Sequence, residues 1–167
     1  PADYKELIGS WTNILKEGKP AVLILPRGHN NTMKYTNPKK VERGGYIISE
    51  VKTRLDVILI ATGSEVELAM NIKEELLKNY IEARVVTMPN MNLFLKQDRD
   101  YIEQVFPSGY RRMVIELSND PNWYRFITSD EDFIGVTTYG KSGTEKEVMN
   151  FFELDMMDLV IKIKNNL

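Results

Sequence analysis

Asp56-Val-Ile-Leu-Ile-Ala-Thr-Gly-Ser-Glu-Val66 is the stretch that decides the architecture. Val57 to Ala61 is apolar without a break, the mark of a strand covered on both faces. Thr62-Gly63-Ser64 then turns into a helix that runs to about Lys78. Val66, Ala69, Met70, Ile72, Leu76 and Leu77 recur at helical spacing along it. A buried strand feeding directly into an amphipathic helix is half of a parallel crossover unit.

The alternation continues in both directions from that stretch. Downstream, Ala83 to Met88 reads as the next strand, stopped by Pro89. A helix is expected around Tyr101, Ile102, Val105 and Phe106, then a strand over Met113 to Leu117. A short helix over Pro121 to Ile127 follows, and a last strand over Phe133 to Thr137. Two helices close the chain: about Thr144 to Phe152, then Asp155 to the end, with Met156, Leu159, Val160, Ile163 and Leu167 on one stripe. Upstream, Gly44-Gly45 opens a short strand, Tyr46 to Ser49. It meets its neighbour with no helix between them, so it is expected as an antiparallel edge. The fold class is α/β: a three-layer sandwich around a mostly parallel sheet of about five strands with one antiparallel edge strand.

The leading segment has a different character. Asp3 can cap a helix with Glu6 reaching back to it, and Leu7, Ile8, Trp11, Ile14 and Leu15 follow at helical spacing. Gly18 and Pro20 stop that helix. Ala21 to Leu25 is a second unbroken apolar run, again expected as a strand buried on both faces. Residues 29–43 show no periodicity and read as a solvated connector. The expected organisation is therefore 1–28 as the end of one unit, 29–43 as linker, and 44–167 as the main domain.

The chain has 167 residues, a net charge of −2, one His and no Cys. That balance carries no basic footprint of a nucleic-acid binder. The absence of Cys excludes disulfides, zinc–thiolate sites and thiol nucleophiles, and fits a reducing compartment such as the cytoplasm. No apolar run has the length of a membrane span. Because Pro1 rather than Met opens it, the chain is expected to be a piece of something longer.

Individual candidates are few. The Thr62-Gly63-Ser64-Glu65 turn could offer N–H groups to a phosphate. Ser64-x-x-Glu67 also spells a capping box that would satisfy those donors, and capping is the favoured reading. Arg27 follows an apolar run directly, a position where an Arg can grip a phosphate. His29 has no partner at a recognisable catalytic spacing. Asp56, Asp98, Asp100, Asp120 and Glu116 form no metal-ligand spacing. Glu116, at the end of a buried strand, is expected to accept hydrogen bonds from loop N–H groups. Trp123, Tyr124, Phe126 and Tyr139 read as core and sheet-edge packing. No catalytic, cofactor-binding or metal-ligating residue is assigned on these grounds.

Several segments together resemble the carboxy-terminal portion of transketolase. The stretch Asp56 to Val66 carries most of the resemblance. Arg84-Val-Val-Thr-Met-Pro89 with Asn92-Leu93-Phe94 and Gln97-Asp98 continues it, as does Tyr101 to Pro107. Phe133-Ile-Gly-Val136 with Tyr139-Gly140 and Ser142 resembles the last strand and turn of that family. Pro1-Ala2-Asp3 and Leu25-Pro26-Arg27 resemble the end of its pyrimidine-binding domain. The order is unbroken over essentially the whole chain.

The resemblance implies a parent enzyme that is thiamine diphosphate-dependent and uses a divalent metal, magnesium or calcium. Such an enzyme moves a two-carbon ketol unit between sugar phosphates in the pentose phosphate pathway, as a homodimer in the cytoplasm. It also implies that residues 1–28 end the pyrimidine-binding domain and that Arg27 contacts the sugar phosphate. Pro26 stands where the family usually has Ser or Thr. The pyrimidine-activating Glu, the metal ligands and the catalytic His residues would all precede Pro1, so the chain alone is expected to be inactive and to hold no cofactor. Two alternatives remain at this point. One is a related thiamine-dependent enzyme, such as deoxyxylulose-phosphate synthase or a keto-acid dehydrogenase beta subunit. The other is a non-catalytic binding or regulatory domain.

Overall fold

The computed structural model describes residues 1–26, 28 and 30–167. Its centre is a five-stranded sheet with spatial order β1-β3-β2-β4-β5. The strands are β1 (Tyr46–Ser49), β2 (Val57–Ala61), β3 (Ala83–Thr87), β4 (Arg111–Glu116) and β5 (Phe133–Gly135). β2 pairs in parallel with both β3 and β4, and β4 with β5, while β1 runs antiparallel along β3. The antiparallel edge is thus where the sequence puts it. Its partner is β3 rather than the next strand in sequence.

Side-chain alternation builds the three layers. Val57, Leu59 and Ala61 face one side, with Val85, Met113 and Ile115. Helix α2 (Glu65–Lys78) covers them through Val66, Ala69, Ile72 and Leu76, and α6 (Met156–Asn165) through Leu159, Val160 and Ile163. Ile58 and Ile60 face the other side with Val86 and Val114. There α3 (Met91–Phe94), α4 (Arg99–Val105) and a 3₁₀ turn at Pro121–Arg125 supply Phe94, Val105, Trp123 and Phe126. Every residue of β2 is fully buried, so truncating Ile60 to Ala would cost about 2–5 kcal/mol. Helix α5 (Glu145–Phe151) begins with a capping box in which Thr144 and Glu147 satisfy each other. β5 stops at Gly135, short of Thr137. Its register sets Gly135 opposite Glu116, the last residue of β4, so the residues beyond have no ladder partner.

The leading segment departs from its expected form. Helix α1 (Tyr4–Glu17) is present and Asp3 caps it, accepting from the Lys5 and Glu6 N–H groups. Glu6 does not reach back to Asp3; its carboxylate takes the Ala2 N–H and two hydroxyls instead. The helix docks by a polar and small face, with Glu6 and Gly9 as its buried residues. A Cβ on Gly9 would lie 2.3 Å from the Pro38 carbonyl oxygen, so only glycine permits that approach. The apolar stripe turns outward: Ile8 is 54 % exposed, Trp11 55 % and Leu15 67 %.

Ala21 to Leu25 forms no strand. It has no regular secondary structure, and Val22 and Ile24 are among the most exposed apolar side chains described. A strand needs a ladder partner and cover on two faces, and the edges of this sheet lie at β1 and β5. The connector is not free along its length. Thr36 and Met33 bind Asp3, and Val41 lies buried in a 3₁₀ turn at Lys40–Arg43. Its lysines are exposed, as expected of solvated residues.

Amide hydrogen exchange will separate these regions. Val57 to Ala61 is expected to exchange only through global unfolding, and Val22 to Leu25 at rates close to those of an unstructured peptide. Equal protection of the two segments would contradict this arrangement.

Candidate functional site

The strand order reverses direction at β2. The chain leaves β2 for β3 on one side, then crosses to β4 on the other. The carboxyl ends of β2 and β4 therefore flank a switch point, the place in an open α/β sheet where ligands settle. A crevice of about 470 Å³ opens there. The Thr62–Glu65 turn after β2 forms one wall. Met88 and Pro89 after β3, and Glu116, Ser118 and Asp120 at and after β4, form the floor and the far wall. Pro1 and the Val22–Pro26 segment also line it.

Two carboxylates are held inside it. Glu65 is 8 % exposed and Glu116 is 7 % exposed. Burial pushes the Glu65 carboxyl above the ordinary range, and the charge of Glu116 adds to the rise. Burial likewise raises Glu116, against a lowering hydrogen bond from the Ser118 N–H at 2.9 Å. The expected role of Glu116 as an acceptor for a loop N–H is therefore met. Two carboxyl groups displaced toward their protonated forms can donate as well as accept hydrogen bonds, and they disfavour an anion beside them.

The capping box at Ser64 is absent. Ser64 has helical backbone angles and makes no side-chain cap; its hydroxyl donates to the Glu65 carboxylate at 3.1 Å. Glu67 instead accepts from the Asn31 side chain. A serine already in the helical region cannot swing its oxygen over the first N–H groups. The phosphate reading of this turn gains nothing from that, because the Glu65 carboxylate occupies the approach.

The remaining candidates fall into place singly. Arg27 and His29 lie outside the described residues; Pro26, immediately before Arg27, lines the crevice. Asp56 accepts from the Glu82 N–H and pairs with Arg54, Asp98 caps α4, and Asp120 caps the 3₁₀ turn. Asp100 is exposed in the first turn of α4. Among the described residues no three of His, Cys, Asp and Glu gather as a metal site. Trp123 and Phe126 are core and Tyr124 stacks on Phe133, but Tyr139 is fully exposed and packs against nothing. Sequence reasoning named Glu65 only within the Thr62–Glu65 turn and did not pair it with Glu116. Its place at the start of the helix that follows a buried strand was the available signal.

Comparison with known proteins agrees with this geometry. A family model described as "Transketolase-like TK C-terminal domain" matches residues 44–155. A probable transketolase of Streptococcus pneumoniae is 35 % identical over 167 residues, covering 99 % of this chain and 25 % of that protein. Transketolase 1 of Escherichia coli is 32 % identical over 168 residues, covering 98 % and 25 %. Among solved structures, a mutant transketolase from Pichia stipitis superposes with a TM-score of 0.91 at 26 % identity, over 99 % of this chain and 24 % of that one. The chain spans about a quarter of the length of the curated relatives it matches. No helix among the described residues is long and apolar enough to cross a membrane.

The two raised carboxyls give stability a pH dependence of definite sign. Between the ordinary glutamate range and their raised values, the folded chain holds protons that the unfolded chain releases, so stability falls as pH rises. Glu65→Gln mimics the protonated form. Its melting temperature is expected to exceed that of the parent chain at pH 8, the difference vanishing below the ordinary carboxylate range. A thermal unfolding series across pH reads this, and a variant less stable at pH 8 would refute it.

Proposed function

The chain belongs to the transketolase-like C-terminal domain family, and from that premise we propose that it is the carboxy-terminal portion of a thiamine diphosphate-dependent transketolase. That parent transfers a two-carbon ketol unit from a ketose phosphate to an aldose phosphate in the pentose phosphate pathway, as a cytoplasmic homodimer. The observation that carries this reading is the unbroken similarity to transketolases over 99 % of the chain.

Residues 1–28 are the end of the preceding pyrimidine-binding domain, 29–43 join the two units, and 44–167 are the C-terminal domain. The outward apolar stripe of α1 and the uncovered Val22–Leu25 segment support this division. Both are apolar surfaces made to be buried, and they point away from the sheet of this chain.

The described residues do not fit the cofactor or its metal. The crevice presents buried carboxylates where a diphosphate would need donors and cations, and the described residues gather no metal-ligand set. Cofactor handling is assigned to the parts of the parent that this chain does not span. The chain's own contribution to substrate binding is Arg27, which would bind the sugar phosphate.

Two measurements test this. Calorimetric titration of the isolated chain with thiamine diphosphate and Mg²⁺ is expected to give no heat of binding. In the parent enzyme, Arg27→Ala is expected to weaken phosphorylated substrates by about 1.5–3 kcal/mol, the size of a charge-assisted phosphate contact, and to leave unphosphorylated acceptors unchanged. Micromolar cofactor binding by the chain, or an equal loss for both acceptor types, would overturn the assignment.

A further inference from the structure

The crevice at the ends of β2 and β4 holds two carboxylates that no described cation neutralises. Glu65 and Glu116 are each more than nine-tenths buried, and neither enters an ion pair among the described residues. Their hydrogen bonds are local. Glu65 is served by its own turn: the Ser64 hydroxyl donates to it at 3.1 and 3.2 Å, and its own N–H lies beside the carboxylate. Ser118 is the one donor residue described for Glu116, with its N–H on Oε1 at 2.9 Å. The other oxygen, Oε2, accepts no hydrogen bond of ordinary geometry from the described residues. Nor is it sealed in, because the one enclosed side-chain oxygen left without a partner among those residues belongs to Asp132. Glu116 lines the crevice, so Oε2 opens into it.

A buried charge without a partner is costly, and both carboxyls are raised accordingly. A cation entering the crevice offsets that cost, since attraction between charges is strong where water is scarce. The rest of the lining selects the kind of cation. The crevice measures about 470 Å³, within the range of small-molecule sites and far more than a bare ion fills. Met88, Pro89, Met91 and Trp123 give it apolar surface, which a metal ion would leave unused. Among the described residues no metal-ligand cluster forms. Asp120 adds negative charge to the lining, while its Oδ1 is held by Asn122. The Pro1 amino group also lies on the lining, but it forms no ion pair, and in a longer parent it would be an uncharged peptide nitrogen.

We propose that this crevice binds a small organic cation, a primary ammonium group on an apolar body. The ammonium donates to Glu116 Oε2 and to the Glu65 carboxylate, and the body lies against the Met88 and Trp123 surface. The groups that recognise it follow β2, β3 and β4, the three inner strands of the sheet, so the site is built on rigid elements. All of them belong to 44–155, the part of the chain that matches the family model, and the inference does not depend on the activity proposed above.

The test is calorimetric titration of the full-length protein that carries this chain. Benzylamine is the probe and benzyl alcohol its uncharged analogue. At pH 7.5 benzylamine is expected to bind once per chain, at least about tenfold tighter than benzyl alcohol. Glu116→Gln keeps the shape of the side chain and removes its charge. It should weaken benzylamine about tenfold and leave benzyl alcohol within about twofold, and Glu65→Gln should act in the same direction. Benzylamine affinity should also fall from pH 7.5 to pH 5, because protons then compete for Glu65 and Glu116; Asp120 and the Pro1 amino group are the other titratable groups on the lining. Combining the two Gln substitutions should flatten that dependence. If Glu116→Gln does not fold, Glu65→Gln, expected above to gain stability at pH 8, carries the same comparison. Equal affinity for amine and alcohol, no saturable binding of benzylamine, or binding that neither substitution changes would overturn the proposal.

Discussion

The carboxylate of Glu6 is the constraint around which the first third of the chain is arranged. It lies in the interior and forms no ion pair among the described residues, so its hydrogen bonds to Ala2, Tyr46 and Thr87 are made together. Making them together fixes which face of α1 meets the sheet. Gly9, one turn on, is then brought against the Pro38 carbonyl, where no larger residue fits. The exposure of Ile8, Trp11 and Leu15 follows from the same choice. A helix that turns its polar side inward has its apolar side left for another surface.

The second constraint is the burial of β2. With neighbours in register on both sides and a helical layer on each face, β2 admits only apolar residues along its length. Polarity returns where the strand ends, at Thr62, and the same is true of β4 at Glu116. The two ends are adjacent because the chain changes direction between them. Glu65 and Glu116 are thereby brought into one crevice, and their shared burial displaces both carboxyl groups upward. Their location is a product of topology, and their chemistry is a product of low local polarity.

These two constraints meet at the Val22–Pro26 segment. It follows the helix that Glu6 anchors and lines the crevice at the ends of β2 and β4. In the proposed transketolase parent, the outward surfaces of α1 and of this segment would be covered by the rest of the pyrimidine-binding domain. The carboxylates of the crevice disfavour an anion beside them.

The sequence by itself determined the sheet and its layers. Unbroken apolar runs at Val57 to Ala61 and Ala83 to Met88, helical stripes such as Val66 to Leu76, and the helix-free approach to Tyr46 are local patterns with periods of two and 3.6 residues. Such patterns are set by each segment's own side chains, so they survive in any context that offers two faces to bury. Ala21 to Leu25 shows the limit of this reasoning. Its pattern is as apolar as that of β2, yet it forms no strand, because a ladder requires a neighbour and the sheet here closes at β1 and β5. Glu6 shows the limit more sharply. In sequence it reads as the N3 glutamate of a capping box that opens at Asp3. Its partners stand 40 and 81 residues away, and nothing local distinguishes a glutamate that caps from one that accepts two distant hydroxyls. Glu65 and Glu116 likewise become a pair only when β2 and β4 lie side by side. Residue periodicity encodes which surfaces are apolar; which surfaces meet, and which polar atoms are enclosed when they do, is decided by contacts that exist only in the folded chain.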